Sequence, residues 1–222
     1  MITNLQFQDI LSTLDGKATL VAVSKTKPAE DIRSLYDFGQ KDFGENYVQE
    51  LIDKQQQLPP DIRWHFIGHL QSNKVKYIAP FVHLIHGVDS LSLLKEINKQ
   101  AVKNNRIIGC LLQVHIASEE TKFGLNEEEL HNLLESVKND PRAFTNISIC
   151  GLMGMASFSD DTSLVRKEFA TLKTCFDRYA QSCRFSVLSM GMSSDYRIAL
   201  EEGSNMVRIG SLLFGERNYP AP

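Results

Sequence analysis

No cysteine pair in this 222-residue sequence has CxxC spacing; the four thiols stand apart at Cys110, Cys150, Cys175 and Cys183. That argues against a zinc ribbon or a disulfide framework, and reduced, buried thiols are expected instead. The six histidines include no HExxH element, so no protein metal site is expected. Basic charge is also scarce: 24 lysines and arginines stand against 27 acids, a net charge of −3. A nucleic-acid binder relies on a basic face, so that class fits poorly. No apolar run approaches the roughly 18 residues that a membrane span needs. Met1-Ile-Thr-Asn does not open a basic-then-apolar leader. A cytoplasmic protein is therefore expected, with neither nucleic acid nor membrane as partner. Linker-like and low-complexity stretches are missing too, which points to one domain over residues 1–222.

What the chain does have is alternation. Apolar strand-like runs at Leu20–Ser24, Asp42–Asn46, Arg63–Gly68, Val82–Val88, Ile107–Ile116, Ile147–Met155, Phe185–Met190 and Met206–Gly210 are separated by amphipathic helical stretches. Such runs belong to a parallel sheet covered on its outer face. Eight units in 222 residues suit a compact (β/α)8 TIM barrel. A doubly wound open sheet is the rival, but no GxGxxG follows the first strand to support a dinucleotide site. Helix starts are signalled by Pro28, by Asp89-Ser90 and by Asn126 with Glu129 three residues on. A further helix is expected from Ser194 to Glu202.

In such a barrel, chemistry collects at the C-terminal ends of the strands. Thr19-Leu-Val-Ala-Val-Ser-Lys-Thr-Lys-Pro28 runs from apolar residues into two lysines, and Val21, Val23 and Lys25 share one parity, hence one face. An amine in apolar surroundings is pushed towards its neutral, nucleophilic form, as imine formation with an aldehyde requires. From this stretch alone, Lys25 and Lys27 read equally well as solvated loop lysines. Gly191-Met-Ser-Ser-Asp195 reads alone as a helix cap; with Gly210-Ser211 beside it, a phosphate cradle is the better reading. Arg208 shares parity with Gly210 and points inward. It either joins a structural ion pair or donates to a ligand acceptor such as a ring nitrogen. An amine, a phosphate cradle and a ring-facing arginine together suit pyridoxal 5′-phosphate (PLP).

Five motifs carry a resemblance: Ala22-Val-Ser-Lys-Thr-Lys-Pro28, Phe43-Gly-Glu-Asn-Tyr-Val-Gln-Glu50, Trp64-His-Phe-Ile-Gly68 with Leu70-Gln-Ser-Asn-Lys74, Ser189-Met-Gly-Met-Ser193, and Val207-Arg-Ile-Gly-Ser211 with Phe214-Gly-Glu-Arg217. Over nearly its whole length the chain resembles the PLP homeostasis proteins, also called proline synthetase co-transcribed homologues. The resemblance implies a single-domain, fold-type III PLP barrel like the N-terminal domain of alanine racemase, without a C-terminal β domain. It implies PLP held as an imine on Lys25, its phosphate at Ser193, Gly210 and Ser211, its ring nitrogen at Arg208, and Asn46 near the cofactor. It also implies a cofactor carrier or buffer rather than an enzyme with an established turnover; PLP-dependent apo-enzymes are one candidate recipient, and the resemblance leaves the recipient open. Ile67-Gly68-His69-Leu70 departs from the Gly-Pro-Leu expected there, as a neutral loop change or one at the pocket rim.

The alternative is an amino-acid racemase using the same imine. Only about a dozen residues, Ser211 to Pro222, follow the last strand, too few for the second domain that completes such a site. That also removes a familiar dimer interface, so a monomer is expected. A Schiff-base aldolase with Lys122 as its amine is a third, remote reading. Lys27 either meets an incoming ligand or is solvated.

Overall fold

The computed structural model describes residues 2–119 and 123–215. Its strands are β1 (Thr19–Val23), β2 (Asp42–Glu45), β3 (Arg63–Phe66), β4 (Leu84–Val88), β5 (Ile108–Gln113), β6 (Ile147–Met153), β7 (Val187–Met192) and β8 (Met206–Ile209). All pair in parallel and in chain order, and β1 closes the barrel against β8 with Val21 opposite Arg208. Among the described residues the helices are α1 (Asn4–Leu14), α2 (Ala29–Asp37), α3 (Val48–Gln57), α4 (Val75–Ile78), α5 (Leu91–Lys103), α6 (Glu127–Asn139), α7 (Thr162–Cys183), α8 (Tyr196–Glu201) and α9 (Ser211–Phe214). The expected (β/α)8 barrel is the observed fold. None of these helices is long and apolar enough to cross a membrane.

Local chemistry sets the helix starts. Asn126 and Glu129 make the reciprocal capping box of α6, each bond 2.9 Å long. Ser90 Oγ accepts from Leu93 N at the head of α5, and Asp161 does the same for α7. Each such cap satisfies an N–H that the helix leaves unpaired and stabilises by about 1 kcal/mol. The main core lies between sheet and helices, where Ile32, Leu35, Phe43, Ile85, Leu94, Ile97, Phe169 and Leu172 are fully buried. Val21, Leu84, Leu111, Met153 and Met206, from five different strands, form a separate small cluster. Opposite parity on a strand produces this second, inner layer.

Several boundaries differ from the sequence expectation, each for a local reason. β1 ends at Val23, so Lys25 sits in the turn beyond it rather than at the strand's last position. β7 continues to Met192 through a register shift, with Gly191 at φ 96°. α8 begins at Tyr196 instead of Ser194, because the Asp195 carboxylate folds back to accept from Met192 N at 2.5 Å. All four cysteines are free.

Candidate functional site

The ends of β1, β2, β7 and β8 converge on a cavity of about 340 Å³. Lys25, Asn46, Ser193, Arg208, Gly210 and Ser211 all lie in its wall, together with Lys27 and Ser194. Val23, Ile67, Met155 and Met192 supply an apolar side, and Phe158 stands largely exposed at the rim. Every titratable side chain among the described lining residues is basic: Lys25, Lys27 and Arg208. Three basic side chains and three serine hydroxyls around an apolar wall suit a small anionic ligand with a flat body. A neighbouring cleft of about 400 Å³, lined by Tyr47, His69, Lys74 and Tyr77 among others, shares only Asn46 with it.

Lys25 is positioned by a polar cluster that its sequence neighbours do not reveal. Lys54, buried on α3, donates to Ser24 O at 2.7 Å, to Glu45 Oε1 at 2.7 Å and to Glu50 Oε1 at 2.6 Å. Glu50 Oε1 also accepts from Thr26 N at 2.6 Å, and Ser24 Oγ donates to Glu45 Oε1 at 2.6 Å. The residues on either side of Lys25 are thereby pinned. Burial pushes the Glu45 carboxyl up to about 7, although Lys54 and Ser24 both pull it down. Lys27, expected either to meet an incoming ligand or to be solvated, lies in the cavity wall and donates to Phe214 O at 2.9 Å, tying the turn after β1 to the end of α9.

Arg208 is buried, and its three bonded acceptors are neutral oxygens. NH1 donates to Ser189 O at 2.9 Å and Ser189 Oγ at 2.7 Å, and NH2 to Gly154 O at 3.0 Å. Burial lowers the guanidinium to about 10, with Asp195 acting in the opposite sense. It therefore remains a cation at neutral pH. Across the same corner Gly210 N donates to Ser193 Oγ at 3.1 Å, joining β8 to the β7 loop. Asn46 Oδ1 is buried with no hydrogen-bond partner among the described residues. An orphaned acceptor of this kind calls for a donor from a bound molecule or water.

The loops above the mouth are also held. Glu168 of α7 accepts from Ser118 N at 2.9 Å, Ser157 N at 2.6 Å and Ser157 Oγ at 2.7 Å, fastening the segments after β5 and β6. His69 stacks on Phe123 at 4.5 Å and lies 3.2 Å from Asp89, so it braces the rim of the neighbouring cleft. Lys122 lies outside the described residues. Sequence reasoning missed Lys54, Glu45 and Glu50 as positioning groups. The one available signal was their presence in and just after the Phe43–Glu50 motif.

A family model described as alanine racemase, N-terminal domain, matches residues 5–218. The pyridoxal phosphate homeostasis protein of Aquifex aeolicus is 43% identical over 205 residues, covering 91% of this chain and 88% of its own. PipY of Synechococcus elongatus, solved with PLP bound, superposes with a TM-score of 0.87 at 34% identity, over 96% of this chain and 99% of its own. Alanine racemase of Bartonella henselae shares the fold at 16% identity and TM-score 0.72, over 98% of this chain and 60% of its own.

Proposed function

Because the chain belongs to the alanine racemase N-terminal domain family and, within it, to the pyridoxal phosphate homeostasis proteins, we propose that it binds PLP and holds, buffers and delivers that cofactor. The observation that carries this function is the cavity wall, where Lys25, Arg208 and the hydroxyls of Ser193, Ser194 and Ser211 face one space without a carboxylate among the described lining residues. When bound, PLP supplies an electrophilic aldehyde and an electron-withdrawing ring. The residues present fit it. Lys25 would hold the aldehyde carbon covalently through Nζ, Ser193, Gly210 and Ser211 would hold the phosphate, and Arg208 would face the ring nitrogen. Asn46 Oδ1, buried with no hydrogen-bond partner among the described residues, would be open to a donor from the ligand. Arg208 stays charged at neutral pH and is a poor proton source, so a ring nitrogen set against it would be left unprotonated. That would make the ring a weaker electron sink than one paired with a carboxylate.

The same wall argues against a racemase. Taking a proton from one face of a carbon and returning it to the other needs an acid–base group opposite the lysine. Besides Lys25, the described wall offers only Lys27, whose amine is engaged by Phe214 O, and Arg208. PLP-dependent apo-enzymes are the natural recipients of a delivered cofactor, and a monomeric, cytoplasmic carrier fits this role. The test is the absorbance of protein incubated with PLP, before and after borohydride, followed by peptide mapping. A visible band that reduction abolishes is expected, with the added mass on Lys25. A colourless protein with no gain of mass overturns the proposal.

A further inference from the structure

A continuous line of polar side chains crosses the barrel beneath the cavity. Arg208 NH1 donates to Ser189 Oγ at 2.7 Å, and Ser189 Oγ lies 3.3 Å from His86 Nδ1. His86 Nε2 lies 2.9 Å from His65 Nδ1, and His65 Nε2 lies 3.0 Å from Asp42 Oδ1. All five residues are buried. Asp42 is the first residue of β2 and is gripped by Arg63, the half-exposed first residue of β3, through both carboxylate oxygens. Arg208 lines the cavity at the other end. The line thus joins the floor of the barrel to its mouth.

Its two ends fix its polarity. A guanidinium only donates and a carboxylate only accepts. Burial alone raises Asp42, but the bonds from Arg63 and His65 bring its carboxyl down to about 2, so it is a carboxylate. With both rings neutral, His65 donates from Nε2 and accepts at Nδ1. That makes His86 a donor at Nε2 and an acceptor at Nδ1, where the Ser189 hydroxyl donates. The freed lone pairs of Ser189 Oγ take the Arg208 N–H. No other arrangement with neutral rings satisfies all four contacts. Burial, with His65, Arg208 and His83 nearby, holds His86 well below the ordinary imidazole range.

We propose that Asp42, His65, His86 and Ser189 are positioning residues for Arg208, a one-directional hydrogen-bond relay through which the Asp42–Arg63 pair on the floor orients the guanidinium facing the ligand ring. The identity of that ring rests on the PLP function proposed above; the relay belongs to the protein alone. The charged and titratable groups beside it are Arg63 and His83 at the floor and Asp195 near Arg208. His83, Asp42 and His65 bring three donor atoms within 4.8 Å of one another. Asp42 nevertheless already accepts from Arg63 on both oxygens and from His65, so a cation there would have to displace or compete with three hydrogen bonds.

Long-range ¹H–¹⁵N NMR of the ligand-free protein tests the relay directly. Both His65 and His86 are expected as Nε2–H tautomers near neutral pH, and an Nδ1–H tautomer on either ring overturns it. In PLP-loaded protein, Ser189→Ala and Asp42→Asn are expected to move the pH midpoint of the visible band by about half a unit or more, and Ser189→Thr to restore it. Midpoints for Ser189→Ala and Asp42→Asn that match the wild type overturn the positioning role. Should Asp42→Asn fail to fold, the Ser189→Ala and Ser189→Thr pair decides. A wild-type protein with no visible band defeats the PLP function instead, while the tautomers still judge the relay.

Discussion

Lys54 donates to the carbonyl oxygen of Ser24 at 2.7 Å, and through that bond a helix side chain fixes the backbone from which Lys25 projects. Thr26, on the other side, is held by Glu50 at 2.6 Å while its φ is 63°. A left-handed conformation costs an ordinary L-residue roughly 1–2 kcal/mol. The clamp offsets that cost and leaves the Lys25 side chain facing the cavity. The placement of the Lys25 amine thus depends on α3 as much as on β1.

Lys54→Met is expected to be destabilising. It removes the only cation bonded to Glu45 and Glu50 among the described ion pairs, and it frees Ser24 O. Breaking one partner of a buried ion pair costs about 3–5 kcal/mol when the charge left behind stays ionised; Glu45, titrating at about 7, takes up a proton instead, so the loss here should fall below that range. Urea denaturation at neutral pH should show that loss, and PLP-dependent absorbance should fall with it. A stability loss under about 1 kcal/mol would mean that the cluster is incidental.

Glu45 gives a pH signature with a definite sign. Its folded carboxyl titrates at about 7, raised by burial from an ordinary value of 4.5. Between those two values the folded chain keeps a proton that the unfolded chain has released. Stability therefore falls as pH rises through this window. Glu45→Gln cannot titrate. The stability of the wild type relative to Glu45→Gln should decline from pH 4.5 to 7, and a flat difference would rule out a protonated Glu45.

How much of this was written in the chain depends on distance along it. Arg208 was legible because strand parity turns it inward, and Lys25 and the Ser193, Gly210 and Ser211 corner because barrel topology carries the turns after β1, β7 and β8 to the mouth. The clamp was not, since Lys54 reaches back 30 residues to Ser24, and only the packing of α3 brings them together. The histidines show the same limit. His65 and His69 stand four apart, the spacing of a helical metal pair, yet His65 turns inward to His86 while His69 faces Asp89. Pairing across adjacent strands leaves no trace in sequence spacing.

The two lysines of the β1 turn should separate cleanly. Lys25→Ala is expected to abolish the visible band of PLP-treated protein. Lys27→Ala should keep it, while losing the charged hydrogen bond to Phe214 O. Such bonds contribute roughly 1.5–3 kcal/mol, and the loss should appear as faster proteolysis at the end of α9. A visible band in Lys25→Ala that vanishes in Lys27→Ala would reverse the assignment.

Gly68 sits where two strand ends touch backbone to backbone. A Cβ there would lie 2.4 Å from Asn46 O and 2.9 Å from Asn46 Cα, atoms that cannot rotate away. Gly68→Ala must therefore push the end of β2, and Asn46 with it, out of the cavity wall. Overpacking of this kind costs about 1–3 kcal/mol. PLP affinity should fall about tenfold, the equivalent of roughly 1.4 kcal/mol. Gly39→Ala is the control: its φ of 102° also disfavours a side chain, but no atom lies within 4 Å of the added carbon. It should lose stability without losing affinity, measured by titrating PLP against the visible band. Equal affinities in the two variants would show that the position of Asn46 does not matter to the bound cofactor.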